Sequence, residues 1–121
     1  MNDALTQALD AANEIDITVI GRASGREISL PVWFVREGDR LWLVPVHGSD
    51  TEWFRNVLHN PTIRVSARGA QLTARATPIT DAAGVSRVTD GFRAKFGAQT
   101  FGQYYPKHDV AVEIPLPARV T

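Results

Sequence analysis

The sequence predicts a mainly β protein with helices (α+β), its six antiparallel strands curled into a small barrel. Two observations carry that expectation. Apolar residues alternate with period two in several short runs bounded by Gly, Pro, Asn or Asp. Between them lie segments whose apolar residues recur at helical spacing, with capping residues at their ends.

The elements follow in order. Asp3 to Asn13 is rich in Ala and Leu, and Leu5, Leu9 and Ala12 fall on one helical face. From Glu14 the period becomes two: Ile15, Ile17 and Val19 alternate with Asp16, Thr18 and Ile20 as a first strand. Arg22 to Arg26 is a turn in which Gly25 best tolerates positive φ. A second strand sets Ile28, Leu30, Val32 and Phe34 against Ser29, Pro31, Trp33 and Val35, and Pro31 assigns it to an edge or a bulge. Glu37-Gly38-Asp39 turns into a third strand, Arg40 to Val46, apolar on both faces and so expected to be covered on both.

Ser49 and Glu52 are spaced as a capping box, which starts a short helix near Asp50. That helix carries Trp53, Phe54, Val57 and Leu58 and stops at Asn60-Pro61. Strands at 62–68 and 71–79 flank a tight turn at Gly69-Ala70. A longer helix spans 81–96, with Val85, Val88 and Phe92 inward and Gly97 as its C-terminal cap. After an irregular stretch through Tyr104 and Tyr105, Val110, Val112 and Ile114 form the last strand.

Composition narrows the function classes. The 121 residues, 44% of them apolar, suit one domain (1–121, with 1–13 a helical arm) that can bury a core. Thirteen basic residues balance thirteen acidic ones, which argues against nucleic acid or an anionic membrane as a partner held by bulk charge. With no cysteine, disulfides, thiolate metal sites and cysteine nucleophiles are excluded. The first dozen residues lack a basic and then apolar signal pattern, and no apolar run reaches the roughly 20 residues of a membrane span. A cytoplasmic location is the expectation. His47, His59 and His108 show no metal-ligand spacing, and neither Ser24 nor Ser49 lies in a nucleophile-elbow context.

More specific strings stand out. Gly21-Arg22-Ala23-Ser24-Gly25 is followed by Pro31 and Trp33; then come Arg36 to Leu43, Trp53 to Pro61 (WFRNVLHNP), and Phe92 to Gly97 (FRAKFG). Together they are similar to the turn and tryptophan-helix pattern of the deazaflavin-dependent nitroreductase-like family, among the FMN-binding split β-barrel proteins. The similarity covers residues 14–115. It implies a split barrel that binds 8-hydroxy-5-deazaflavin or FMN in a groove between barrel and helices. By the same resemblance, Arg22, Ser24, Gly25 and Ser29 face the phosphate tail, and Arg26 stands in for a missing cation. Val44, Val46, His47 and Gly48 border the ring system, Trp53 caps it, and Tyr104 or Tyr105 approaches from the C-terminal side. The chain departs from the family pattern where Ala23 replaces a Lys and Ile28 an Arg; each lost cation removes ~1.5–3 kcal/mol of charged hydrogen bonding.

Each feature also has a plainer reading. The turn serves equally as an ordinary hairpin, Trp53 as a core anchor, Trp33 and Trp42 as packing residues, and the tyrosine pair as a barrel plug. The function expected from the resemblance is an oxidoreductase that transfers hydride to a small electrophile (quinone, nitroaromatic or enone). The alternatives are a non-catalytic cofactor- or ligand-binding barrel and a structural dimerisation module. A homodimer is expected.

Overall fold

The change of period at residue 14 is where the first sheet begins. A computed structural model, which describes residues 3–116, places helix α1 over Asp3–Ala11 and strand β1 over Glu14–Ile20. Strand β1 buries Ile15, Ile17 and Val19 and leaves Glu14 and Asp16 exposed. Strand β2 (Glu27–Trp33) pairs antiparallel with β1, Leu30 opposite Ile17. It is the outer strand of this sheet, where Pro31 removes no ladder bond that a neighbour needs.

A second sheet takes over where β2 ends. Strand β3 (Val35–Glu37) turns at Gly38, φ 60°, into β4 (Arg40–Leu43). All of Leu41, Trp42 and Leu43 are buried, so the expected covering of both faces holds, although the strand stops at Leu43 and Val44 to Val46 continue as a loop. Helix α2 (Glu52–His59) follows and ends where Asn60-Pro61 was expected to stop it. Strands β5 (Thr62–Ala67) and β6 (Ala70–Arg75) complete the first sheet in the order β2-β1-β5-β6. Their turn is Arg68-Gly69 rather than Gly69-Ala70. Both residues are left-handed, φ 50° and 83°, the geometry that matches the twist of a two-residue hairpin, and Ala70 already pairs with Ala67.

Strand β7 (Thr77–Ile79) and, after helices α3 (Ala82–Phe96) and α4 (Ala98–Tyr104), strand β8 (Ala111–Pro115) complete the second sheet, β3-β4-β8-β7. The chain is therefore a mixed α+β protein with two four-stranded antiparallel sheets, not the single six-stranded barrel of the sequence expectation. Two of the expected strands divide. Segment 27–37 changes sheets at Phe34 and segment 70–79 at Ala76, both buried. Backbone groups freed at these points find other partners: Lys95 Nζ donates to the Phe34 carbonyl at 2.8 Å, and the Ala76 N–H to that of Pro61 at 2.8 Å.

The main core gathers Phe34, Leu41, Leu43, Ile63, Val65 and Ile114 with Leu5 and Leu9 of α1 and Trp53 and Phe54 of α2. Trp42, Val88, Phe92, Phe101 and Tyr105 form a second cluster that joins β4 to α3 and α4. Fully burying each of these large side chains stabilises the fold by ~1.5–3 kcal/mol. Helix α3 starts on Asp81, whose carboxylate accepts the Gly84 N–H at 2.8 Å, and ends on Gly97 at φ 91°. Helix α4 replaces the expected irregular stretch.

Candidate functional site

The two halves of the molecule leave a groove of about 450 Å³ where β2, the loop after β4, and helices α2 and α4 meet. The end of β2 supplies four consecutive residues to its wall, Leu30, Pro31, Val32 and Trp33. The loop adds Val44, Val46 and Thr51, helix α2 adds Trp53, and the end of α4 adds Tyr104 and Tyr105. The lining is mostly apolar; Glu14 is its only charged residue among the described residues.

Trp53 satisfies both sequence readings at once. It is 5% exposed and belongs to the main core, yet it also faces the groove. Trp33, expected only to pack, is a groove wall. Its ring stacks on Phe96, centroids 4.7 Å apart, and meets Tyr104 edge-on at 5.3 Å. The string Phe92 to Gly97 thus has a local purpose: Phe92 anchors α3 in the core, Lys95 holds the sheet exchange at Phe34, and Phe96 backs Trp33. The two tyrosines part company. Tyr104 is 58% exposed, whereas Tyr105 is buried and stacked on Phe101 at 4.9 Å. Burial pushes the Tyr105 hydroxyl up to about 12, so it stays neutral through the physiological range.

The Gly21–Arg26 turn joins β1 to the start of β2, contributes no residue to the groove lining, and is tied to α2. It is internally bonded: Gly21 N–H to the Arg26 carbonyl and Gly25 N–H to the Gly21 carbonyl, each 2.8 Å. Gly25 sits at φ 71°, as the turn required. Arg22 points at α2. Its backbone N–H and its Nη1 both donate to Asn56 Oδ1, at 3.0 and 2.8 Å, and its Nη2 meets Glu52 Oε2 at 2.7 Å. Arg26 is exposed, and its guanidinium has no ion-pair or hydrogen-bond partner among the described residues; its N–H donates to Ser24 Oγ at 3.2 Å.

Of the remaining expected residues, Ser29 shares a hydroxyl bond of 2.7 Å with Thr18 across the β1–β2 pair, outside the groove lining. His47 is exposed and donates its N–H to Thr51 Oγ1 at 2.8 Å. Gly48 is buried at φ 57°, where a Cβ would collide with the Asp109 carboxylate. The expected capping box does not form. Helix α2 begins at Glu52, and Ser49 instead gives its N–H and hydroxyl to Asp109, at 2.9 and 2.5 Å. Glu52 is committed to Arg22. Nearby, Lys107 bonds Asp50 at 2.8 Å, and that bond holds the Asp50 carboxyl below the usual carboxylate range.

Sequence reasoning missed Asn56, Glu52, Leu30, Val32 and Thr51 as parts of the site. Asn56 carried a signal: asparagine is a poor helix former, and here it stands in mid-helix inside the tryptophan motif. No group of three or more metal-ligating side chains occurs among the described residues.

The family model of F420H(2)-dependent quinone reductases matches residues 2–117, and the chain belongs to that family. Among solved structures it is similar to the F420-H2-dependent reductase FDR-A, at 18% identity and a TM-score of 0.66 over 84% of this chain and 93% of that one. It is similar to a chain described as a domain-swapped dimer, at 18% identity and a TM-score of 0.68 over 84% and 79%. A FAD-binding protein from Mesorhizobium loti aligns at 16% identity and a TM-score of 0.65 over 93% and 87%. At these identities the likeness is one of fold. No curated protein matches the sequence.

Proposed function

We propose that this protein is a deazaflavin- or flavin-dependent reductase that passes hydride to a small electrophile of the quinone, nitroaromatic or enone type. One observation carries the reading: an apolar, aromatic-walled groove lies where β2, the loop after β4, and helices α2 and α4 meet, in a chain of the F420H(2)-dependent quinone reductase family. The residues present fit such a cofactor. Trp33, Trp53, Val44 and Val46 offer flat apolar surface for a ring system, and the outer edge of β2 leaves backbone groups for its polar rim. By the family resemblance, Ser24, Gly25 and Arg26 of the turn would take a phosphate tail.

When bound, the cofactor supplies the hydride. The chain's part is to orient and to dry the site. Trp53 and Tyr105, both buried, fix two walls, while exposed Tyr104 stands at the rim on the approach of a substrate. His47 and Gly48 shape the loop that carries Val46 and Thr51. Val46 and Tyr104, both exposed, line the groove and would be covered in a homodimer.

The test is turnover. Purified protein mixed with reduced F420 and a soluble quinone, nitroaromatic or enone should oxidise the cofactor in proportion to enzyme with at least one of them; no oxidation of reduced F420 or reduced FMN by any of the three would refute the reductase reading. A second reading, a non-catalytic cofactor- or ligand-binding protein, is favoured by Ala23 and Ile28, which remove two cations from the turn region. Saturable binding of either cofactor without turnover on any of the three electrophile classes would establish it.

A further inference from the structure

The groove has a dry floor and a wet rim, and its charge lies on the rim. Val44, Trp53 and Tyr105 are buried, whereas Glu14, Val46 and Tyr104 are exposed. Glu14 opens β1 and is the cross-strand partner of Trp33, whose ring meets Tyr104 edge-on at 5.3 Å. Directly opposed residues on paired strands share a face, with Cβ atoms about 5 Å apart, so the carboxylate stands beside an aromatic wall.

Nothing in the lining neutralises that carboxylate. Among the described residues no Lys, Arg or His lines the groove, and Glu14 makes no ion pair. Glu27, Glu52 and Glu113, by contrast, each hold an arginine. Two features that draw an organic cation from water therefore meet at one rim. Aromatic rings attract positive charge to their faces, and an unpaired carboxylate accepts charge-assisted hydrogen bonds. The same carboxylate repels an anion, and no neighbouring cation in the lining offsets the repulsion.

Resting on the proposed reductase reading, which makes the entrant a small electrophile, we infer that Glu14 is the residue that sets the charge of the substrate. The groove admits electrophiles that carry a cationic or hydrogen-bond-donating substituent and turns away those that carry a sulfonate or a carboxylate. Tyr104, Trp33 and Glu14 meet the substituent at the rim, while the buried floor is left to flat apolar rings.

The experiment uses naphthoquinones that bear either a trimethylammonium or a sulfonate group on the same short alkyl linker. It also uses the matching naphthalenes, which cannot accept hydride. Calorimetry gives the affinity of each naphthalene, and steady-state oxidation of reduced F420 or reduced FMN gives kcat/KM for each quinone. Parent, Glu14→Gln, Glu14→Lys and Asp16→Asn proteins are compared; Asp16 is exposed on the same strand but outside the lining, so it controls for charge at a distance. The parent should favour ammonium over sulfonate about tenfold in both measurements, the combined size of one exposed ion pair and one cation–π contact. Glu14→Gln should shrink that ratio at least threefold, Glu14→Lys should reverse it, and Asp16→Asn should keep it. A parent without the preference, a preference kept in Glu14→Lys, or one lost equally in Asp16→Asn would overturn the assignment, and quinone turnover would still uphold the reductase reading. Charge-selective binding of the naphthalenes that follows Glu14, with no quinone reduced, would sink the reductase reading and uphold the role of Glu14.

Discussion

Asn56 and Tyr105 show how much of this site is set by single side chains that the fold hides. Asn56 is a helix-interior asparagine whose side chain bonds a loop instead of solvent. Asn56→Ala should lower the unfolding free energy by ~1–3 kcal/mol, the cost of leaving the Arg22 donors without their buried acceptor, as urea denaturation would record. Tyr105 makes a prediction about pH. Its folded pKa, raised by burial to about 12, exceeds the unfolded value near 10, so the unfolded state loses the proton first. Its contribution is therefore complete below about pH 10 and is lost as pH rises toward 12, at about 1.4 kcal/mol per pH unit at most. The difference in stability between the parent and Tyr105→Phe should be flat up to pH 10 and change only above it. Gly25 was legible in the sequence because positive φ is its dominant use, and Trp53 because both of its readings, core anchor and groove wall, put it on the inner face of the short helix. Asn56 was not read, because its partner lies 34 residues away and no local pattern marks it.

At the scale of elements, the places where sequence and structure part are places where tertiary contacts decide. Alternation runs through Phe34 without a break, so the exchange between sheets is invisible in it; what marks the exchange is Lys95, from a helix 61 residues away. Its ammonium donates to the Phe34 carbonyl and sits 4.0 Å from the centroid of the Phe34 ring, and burial lowers its pKa. Lys95→Met keeps the aliphatic stem and removes the donor. It should destabilise the protein by ~1–2 kcal/mol, and amide exchange should accelerate most at the β2–β3 junction. Helix α4 went unread because it has seven residues, includes Gly102, and buries only Phe101, too few apolar positions to show a period. The false capping box has the same origin: Ser49 and Glu52 had the right spacing, but Asp109 and Arg22 are better partners for each.

For the whole molecule, the groove is the product of two sheets and two helices meeting, and its lining was legible only in part. Val44, Val46, Trp53, Tyr104 and Tyr105 were named from the resemblance, and the structure brings them to one cavity. Leu30, Val32 and Thr51 join them because β2 and the α2 entry pass the same point, a matter of register rather than of residue type. The expected homodimer belongs to this scale too. Light scattering at micromolar concentration should give twice the 13.3 kDa chain mass, and Val46→Glu should shift it toward the monomer by placing charge on the apolar rim. A parent protein that scatters as a single chain would set the dimer aside.

The proposed reductase function requires that this groove hold a flavin-type ring. The most direct measurement is an equilibrium titration of tryptophan fluorescence with F420 and with FMN, run on the parent and on Trp53→Phe and Val44→Asp variants. The expected result is saturable quenching with at least one cofactor in the parent, quenching of reduced amplitude in Trp53→Phe, and affinity weakened tenfold or more in Val44→Asp, where a carboxylate would enter an apolar wall. Equal affinity for the cofactor in the parent and in a folded Val44→Asp protein would contradict it.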